Sequence, residues 1–163
     1  MCTVGHVAGM TQATIDRYVS RVPFDAERVG AAAVYCSDGR YGDQMDEFLH
    51  EALGLPRYDR VAAPGGCGCL AGHSIAIREQ GAMEKQLRFL IAAHDLDRIV
   101  FIAHHDCGFY KQLKLWGKTI EEQQRIDMAK TTQIVRGYAT GLTVEAYLAK
   151  PIGGKVRFER VDL

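Results

Sequence analysis

The sequence lacks an excess of either charge, because twenty lysines and arginines stand against twenty aspartates and glutamates. A protein that binds nucleic acid through a broad basic face carries a clear positive excess, so the balance argues against that class. Long hydrophobic runs are also missing. The strongest apolar stretch, residues 99–103, is far shorter than the ~20 residues that a membrane-spanning helix requires. We therefore expect no nucleic-acid partner and no membrane insertion.

The N-terminus lacks the features of a secretory signal, since no basic residue precedes Arg17 and no compact apolar run opens the chain. Paired disulfides are not expected either, because the cysteine count is odd, at five. We expect a cytoplasmic protein whose cysteines are metal ligands, catalytic groups or buried side chains. With 163 residues, 47% of them hydrophobic, the chain is long enough for one domain with its own core.

Apolar spacing predicts strands that alternate with helices. Strands are predicted at residues 30–36, 60–63, 98–103 and 142–148, with a returning edge strand around 156–158 after a turn at 151–154. Helices are predicted over residues 45–53, 83–94 and 119–137, the last opened by a Thr-x-x-Glu capping box. An N-terminal arm and helix at about residues 1–23 precede them, because Ile15, Tyr18, Val19 and Val22 repeat at helical spacing.

This alternation favours right-handed crossovers and a mainly parallel sheet with helices on both faces. The fold class we predict is α/β, with strand order 2-1-3-4 and a C-terminal edge strand. The predicted domain is a single unit covering residues 1–163.

Two short motifs each follow a predicted strand and so reach the same edge of the sheet. Residues 36–40 read Cys-Ser-Asp-Gly-Arg after the first strand, and residues 104–108 read His-His-Asp-Cys-Gly after the third. In the order 2-1-3-4 these strands are neighbours at the switch point, where ligands bind. Cys36, His104 and Cys107 would then supply two thiolates and one imidazole, which suits Zn²⁺ and leaves a fourth position open for catalysis.

The neighbours of these three residues refine the prediction. His104 is preferred to His105 as the ligand, because a three-residue step to Cys107 lets a strand end and the following turn converge on one ion. Asp38 has two options: it can take the open zinc position, or it can pair with the guanidinium of Arg40. If it pairs, zinc keeps a water whose pKa can fall to about 7, and Asp38 can orient the resulting hydroxide.

Together, Cys-x-Asp-x-Arg at residues 36–40 and His-x-x-Cys at residues 104–107 resemble the motifs of the β-class carbonic anhydrases. The resemblance runs from about residue 11 to the C-terminal hairpin. It implies zinc bound by the two cysteines and the histidine, and a gate at the fourth position formed by Asp38 and Arg40. It also implies a homodimer or a higher multiple of dimers, with an N-terminal helix packed across the dimer. The implied reaction is reversible hydration of carbon dioxide to bicarbonate by zinc-bound hydroxide.

One segment departs from the family pattern. Family members usually carry an Arg-Asn-Ala-Gly-Asn-like stretch after the second strand, whereas residues 62–66 read Ala-Ala-Pro-Gly-Gly here. Relatives of the family hydrolyse carbonyl sulfide or carbon disulfide with the same ligands, so that activity is kept as an alternative. A non-catalytic, zinc-stabilised binding module is a second alternative.

Other patterns favour different functions less strongly. Residues 66–71 fit the dinucleotide pattern G-x-G-x-x-A, but the acidic residue expected about 20 positions later is missing. Cys67 and Cys69 are expected to be small buried residues of a tight loop rather than extra zinc ligands or a redox pair. A cysteine nucleophile at Cys36 in an anion-binding loop ending at Arg40 is disfavoured, because such loops place more residues between the two.

Overall fold

The computed structural model describes residues 17–163. Its strands are β1 (Ala31–Tyr35), β2 (Asp59–Ala62), β3 (Arg98–His104), β4 (Thr143–Ile152) and β5 (Lys155–Val161). Its helices are α1 (Gly42–Glu47), which continues into a wider π-type turn (Phe48–Ala52), α2 (Ile77–His94) and α3 (Ile120–Arg136). Short 3₁₀ turns cover Gly39–Tyr41, Gly66–Leu70, Ser74–Ala76 and Tyr110–Gln112.

The five strands form one sheet in the order β2-β1-β3-β4-β5. Strands β1 to β4 run parallel, and β5 returns antiparallel along β4. The predicted α/β class, the strand order and the C-terminal edge strand are therefore confirmed. Because β1 and β3 are hydrogen-bonded neighbours, the chain segments that leave their carboxyl ends start side by side.

The centre of the sheet is covered on both faces, as is typical of parallel sheets. All five residues of β1 are buried. Ala32 and Val34 belong to the larger core cluster, with buried residues of α2 and α3. Ala33 and Tyr35 belong to a cluster on the opposite face, with Met45 of α1. This alternation with period two explains why the strand reads as one continuous apolar run.

The predicted capping box of α3 is present. The backbone N–H of Glu122 donates to Thr119 Oγ1 at 3.2 Å, and the N–H of Thr119 donates to the Glu122 carboxylate at 2.7 Å. The box begins the helix at Ile120. From there the helix carries Gln124 and Asp127 into buried positions, and Gln124 contacts the end of β3.

The predicted N-terminal helix is wrong for its described part. Residues 17–30 are irregular, and Tyr18, Val19 and Val22 are 76%, 88% and 77% exposed. Ile15 lies outside the described residues. A short amphipathic helix gains most of its stability from packing its apolar face, and no described part of this chain covers that face.

The C-terminal turn is also shorter than predicted. Strand β4 continues through Pro151 and Ile152, so the turn contains only Gly153 and Gly154. Pairing between β3 and β4 ends at Ala149, and beyond it β4 pairs only with β5. A proline is tolerated there because one side of the strand has no ladder to interrupt. Within the described residues, no helix is both long and apolar enough to cross a bilayer.

Candidate metal centre

Three buried side chains meet where β1 and β3 end. Cys36 follows the last residue of β1, His104 is the last residue of β3, and Cys107 lies in the turn beyond it. Their ligand atoms all lie within 4.8 Å of one another. The side chains are almost fully enclosed, at 8%, 0% and 1% exposure. The strand order thus brings together the three residues that the sequence singles out.

The spacing of the two sulfurs suits a metal ion. Cys36 Sγ and Cys107 Sγ lie 3.7 Å apart. Two thiolates about 2.3 Å from one tetrahedral zinc ion lie roughly 3.8 Å apart, so the pair needs little adjustment to share one ion. The two thiols titrate as a pair. A hydrogen bond from Cys107 lowers the pKa of Cys36, and the same bond raises the pKa of Cys107.

His104 presents the nitrogen that completes this donor set. Its Nδ1–H donates to the carbonyl of His105 at 2.8 Å, which leaves the lone pair on Nε2. Nε2 is buried and has no hydrogen-bond partner in the structure. An orphaned imidazole nitrogen beside two thiols fits Zn²⁺, whose structural and catalytic sites use these donors. The exposed side chain of His105 is not a member of this group.

Asp38 lies beside the centre with its carboxylate held by Arg40. The arginine Nε donates to both carboxylate oxygens, at 3.0 and 3.1 Å, and Nη2 donates to Oδ2 at 2.5 Å. Asp38 Oδ2 lies 3.9 Å from His104 Nε2. Of the two options left open by the sequence, the structure shows the pairing with Arg40. That hydrogen bonding holds the pKa of Asp38 well below its usual range.

The segment of residues 62–66 contributes one backbone donor to the centre. The Gly65 N–H donates to Cys36 Sγ at 3.4 Å, which helps to lower the pKa of that thiol. A Cβ on Gly65 would lie 2.4 Å from the Phe109 ring, and one on Gly66 would lie 2.9 Å from the backbone of Tyr35. Both glycines also have positive φ. The stretch that lacks polar side chains therefore contributes a backbone donor that only glycine can place so close.

Sequence reasoning missed two residues that contact the centre. The Tyr41 ring packs 4.4 Å from the His104 ring, and its hydroxyl donates to the His105 carbonyl at 3.3 Å. Gln124 is buried and donates from Nε2 to the His104 carbonyl at 2.9 Å. Tyr41 directly follows the first motif, and Gln124 is a polar residue on the buried face of α3. These two sequence positions are the features from which the contacts could have been inferred.

Cys67 and Cys69 lie apart from the ligand group. Cys69 Sγ donates to the carbonyl of Pro64 at 2.7 Å. Burial raises the pKa of Cys67, and it raises the pKa of Cys69 to about 11, so both are held as thiols. Neutral thiols are poor nucleophiles. The geometry favours small buried residues in the tight Gly66–Leu70 turn over extra ligands.

Comparison with known protein families agrees with this geometry. Residues 26–161 match the model of a family described as "Putative carbonic anhydrase". The chain belongs to this carbonic anhydrase family. The matched range contains both motifs and all five strands, so the family resemblance drawn from residues 36–40 and 104–107 is confirmed.

Two solved carbonic anhydrases have a similar fold. The enzyme from Streptococcus mutans is 19% identical, with 89% of this chain and 88% of that chain covered and a TM-score of 0.50. The enzyme from Glaciozyma antarctica is 13% identical, with 82% of each chain covered and a TM-score of 0.52. At these identities the likeness concerns the fold, which is that of a divergent carbonic anhydrase.

Two curated relatives are uncharacterized proteins. One from Rickettsia bellii is 30% identical over 81 residues, which is 49% of this chain and 48% of the relative. One from Rickettsia conorii is 31% identical over 81 residues, which is 49% of this chain and 42% of the relative. The match therefore spans less than half the length of either relative.

Proposed function

We propose that this member of the carbonic anhydrase family is a zinc-dependent enzyme that interconverts carbon dioxide and bicarbonate. The observation that carries the proposal is the convergence of Cys36, His104 and Cys107 beside a carboxylate that Arg40 holds. Family membership supports the reaction class. We further propose that residues 1–163 form one cytoplasmic domain that assembles as a homodimer or a multiple of dimers.

The three converging residues would hold zinc as two thiolates and a neutral imidazole. When bound, zinc would act as a Lewis acid and make a nucleophile available from water near neutral pH. The chain supplies the pre-oriented donors. The hydrogen bond from His104 Nδ1 fixes the tautomer, and the Gln124 amide holds the His104 carbonyl. Such supporting bonds orient metal ligands and are typical of functional sites.

Asp38 is suited to orient a reacting water and unsuited to remove its proton. Hydration forms a bond between a water oxygen and the carbon of CO₂, and it releases one proton. Because Arg40 holds the pKa of Asp38 well below its usual range, the carboxylate stays ionised and is a weak base. It can accept a hydrogen bond from the water and direct a lone pair toward carbon. The released proton then passes to buffer.

Carbonyl sulfide or carbon disulfide is the second candidate substrate. The observation that favours it is the segment of residues 62–66, which carries no polar side chains where the family carries them and contributes only the Gly65 N–H to the centre. Fewer polar side chains near the centre would suit a linear apolar molecule, a description that also fits CO₂. Sulfide release without measurable CO₂ hydration would reverse our preference.

The test is stopped-flow CO₂ hydration on protein of measured zinc content, with a matched pair of histidine variants. His104→Ala removes the proposed ligand, whereas His105→Ala removes the adjacent exposed ring. We expect His104→Ala to lose most of both zinc and activity, and His105→Ala to keep both within about twofold. Wild-type protein that holds zinc without accelerating hydration would leave the zinc-stabilised binding module as the better description.

A further inference from the structure

The ring of Tyr41 packs directly against the imidazole of the candidate zinc ligand His104. The two ring centroids lie 4.4 Å apart, and the ring planes are tilted by 37°. Both side chains are enclosed, since Tyr41 is 7% exposed and His104 is 0% exposed. Aromatic rings at this separation make a close, directional contact, so Tyr41 restricts how far the imidazole can rotate.

The position of the Tyr41 ring is set by the turn that also carries Asp38 and Arg40. Tyr41 is the last residue of this Gly39–Tyr41 turn, and its N–H donates to the Asp38 carbonyl at 3.1 Å. The Asp38 side chain caps the same turn, because its Oδ1 accepts from the Arg40 N–H at 3.1 Å. One short segment therefore places both the carboxylate beside the centre and the ring against its histidine.

The Tyr41 hydroxyl and the His104 ring share one backbone acceptor. The His105 carbonyl accepts from His104 Nδ1–H at 2.8 Å and from the Tyr41 hydroxyl at 3.3 Å. A carbonyl oxygen has two lone pairs, so it can accept both bonds at once. The bond from the hydroxyl is the longer of the two and therefore the weaker. We expect the ring contact to matter more than the hydroxyl.

The orientation of the His104 imidazole decides whether one metal ion can reach all three donors. Nε2 has no hydrogen-bond partner among the described residues, so hydrogen bonding fixes this ring at Nδ1 alone. A single hydrogen bond leaves the ring free to tilt about that nitrogen, and a tilt would move Nε2 away from the two sulfurs. The Tyr41 ring lies where it opposes such a tilt.

We propose that Tyr41 is a positioning residue for His104, whose imidazole it holds in the orientation that presents Nε2 to zinc. The hydroxyl makes a smaller contribution, because it supports the carbonyl that keeps the proton on Nδ1. This inference rests on the proposed zinc site. It adds that the geometry of one ligand depends on the turn that carries Asp38, through a side chain that does not itself bind the metal.

The test measures zinc affinity, by competition with a chelator, in the full-length protein and in three variants. Tyr41→Leu removes the ring, whereas Tyr41→Phe keeps the ring and removes the hydroxyl. Tyr147→Leu is the matched control, because Tyr147 is 8% exposed and belongs to the same core cluster as Tyr41. We expect Tyr41→Leu to weaken zinc binding at least about tenfold and Tyr41→Phe at most about threefold, with wild-type affinity in Tyr147→Leu.

The visible spectrum of the cobalt(II)-loaded protein adds a readout of ligand geometry that general loss of stability would not change. It should differ from wild type in Tyr41→Leu and match wild type in Tyr41→Phe and Tyr147→Leu. If circular dichroism shows that Tyr41→Leu is unfolded, Tyr41→Met takes its place with the same expected result, since a flexible side chain cannot hold a ring in place.

Three outcomes would overturn the positioning role. They are wild-type zinc affinity in Tyr41→Leu, an equal loss of affinity in Tyr147→Leu, and a Tyr41→Phe variant as weak as Tyr41→Leu, which would assign the effect to the hydroxyl. A wild-type protein that binds no zinc would refute the proposed function and this inference with it. Tight zinc binding by the wild type, unchanged in Tyr41→Leu, would refute this inference alone.

Discussion

The sulfurs of Cys36 and Cys107 lie 3.7 Å apart although 71 positions separate them in sequence. Adjacent parallel strands produce this approach, because each cysteine follows a strand that ends at the same edge of the sheet. The buried Nε2 of His104 beside these two thiols has no hydrogen-bond partner in the structure. A metal cation would bind all three donor atoms, and the first prediction tests whether one does.

Elemental analysis of purified protein should give about one zinc per chain. Cys36→Ala and Cys107→Ala should each lose most of it, because a methyl group cannot replace a thiolate. Cys69→Ala is the matched control, since it removes a buried thiol that lies outside the ligand group. It should keep its zinc. Full zinc occupancy in both ligand variants would end the assignment of this centre.

Strand order and ligand pairing could be predicted because each depends on local patterns that one sheet then assembles. The apolar runs around Val34 and Phe101 predict neighbouring buried strands, and the polar residues that follow them must share an edge. Tyr41 and Gln124 could not be found in this way. Their contacts with His104 and His105 depend on how the Gly39–Tyr41 turn and α3 pack on the sheet, and residue spacing does not report packing.

The N-terminal segment shows the opposite limit. The spacing of Tyr18, Val19 and Val22 predicts a helix, yet these residues are irregular and exposed. Helical spacing records that a face is apolar and does not record what covers it. Within one chain, no part of the described residues covers these three side chains.

Gly65→Ala should destabilise the protein by about 2–4 kcal/mol, because its Cβ meets the Phe109 ring and its φ is +82°. Gly81→Ala is the matched control. It lies in the exposed interior of α2, where an added Cβ meets nothing within 4 Å, and it should stabilise by about 0.5–1 kcal/mol. Urea denaturation of both variants measures the difference. Equal effects of the two changes would show that the close approach to Phe109 is not needed.

The chain should be a homodimer or larger in solution. Tyr18, Val19, Val22 and Phe24 are 76–92% exposed and follow one another closely, an apolar group that we expect a second copy to cover. Val19→Asp combined with Val22→Asp should shift light scattering toward the 18.1 kDa monomer. Phe89→Asp, which charges an isolated exposed residue of α2, is the control and should leave the assembly intact. A wild-type protein that scatters only as a monomer at micromolar concentration would contradict this prediction.

The last prediction concerns the pair at the edge of the centre, where residues two apart have opposite roles. Arg40→Ala leaves the three proposed zinc ligands untouched and deprives Asp38 of its cationic partner. The freed carboxylate, already 3.9 Å from His104 Nε2, should then coordinate zinc and expel the reacting water. Zinc should be retained while hydration activity falls by at least about a hundredfold, since the closed ion has no site for water.

The Asp38→Ala variant distinguishes coordination of zinc by Asp38 from simple loss of the Asp38–Arg40 ion pair. It cannot close the site, so the water stays but is poorly oriented, and activity should fall less than in Arg40→Ala. The double variant of Asp38→Ala and Arg40→Ala should behave like Asp38→Ala, because closure needs the carboxylate. Zinc-edge X-ray absorption provides the decisive measurement. At neutral pH we expect one added carboxylate oxygen at zinc in Arg40→Ala and not in the other variants. The wild-type spectrum should approach the Arg40→Ala spectrum at low pH, because water then replaces hydroxide and competes more weakly with Asp38 for zinc. An unchanged shell of two sulfurs, one nitrogen and one water in an inactive Arg40→Ala would rule out closure and assign Arg40 a different role.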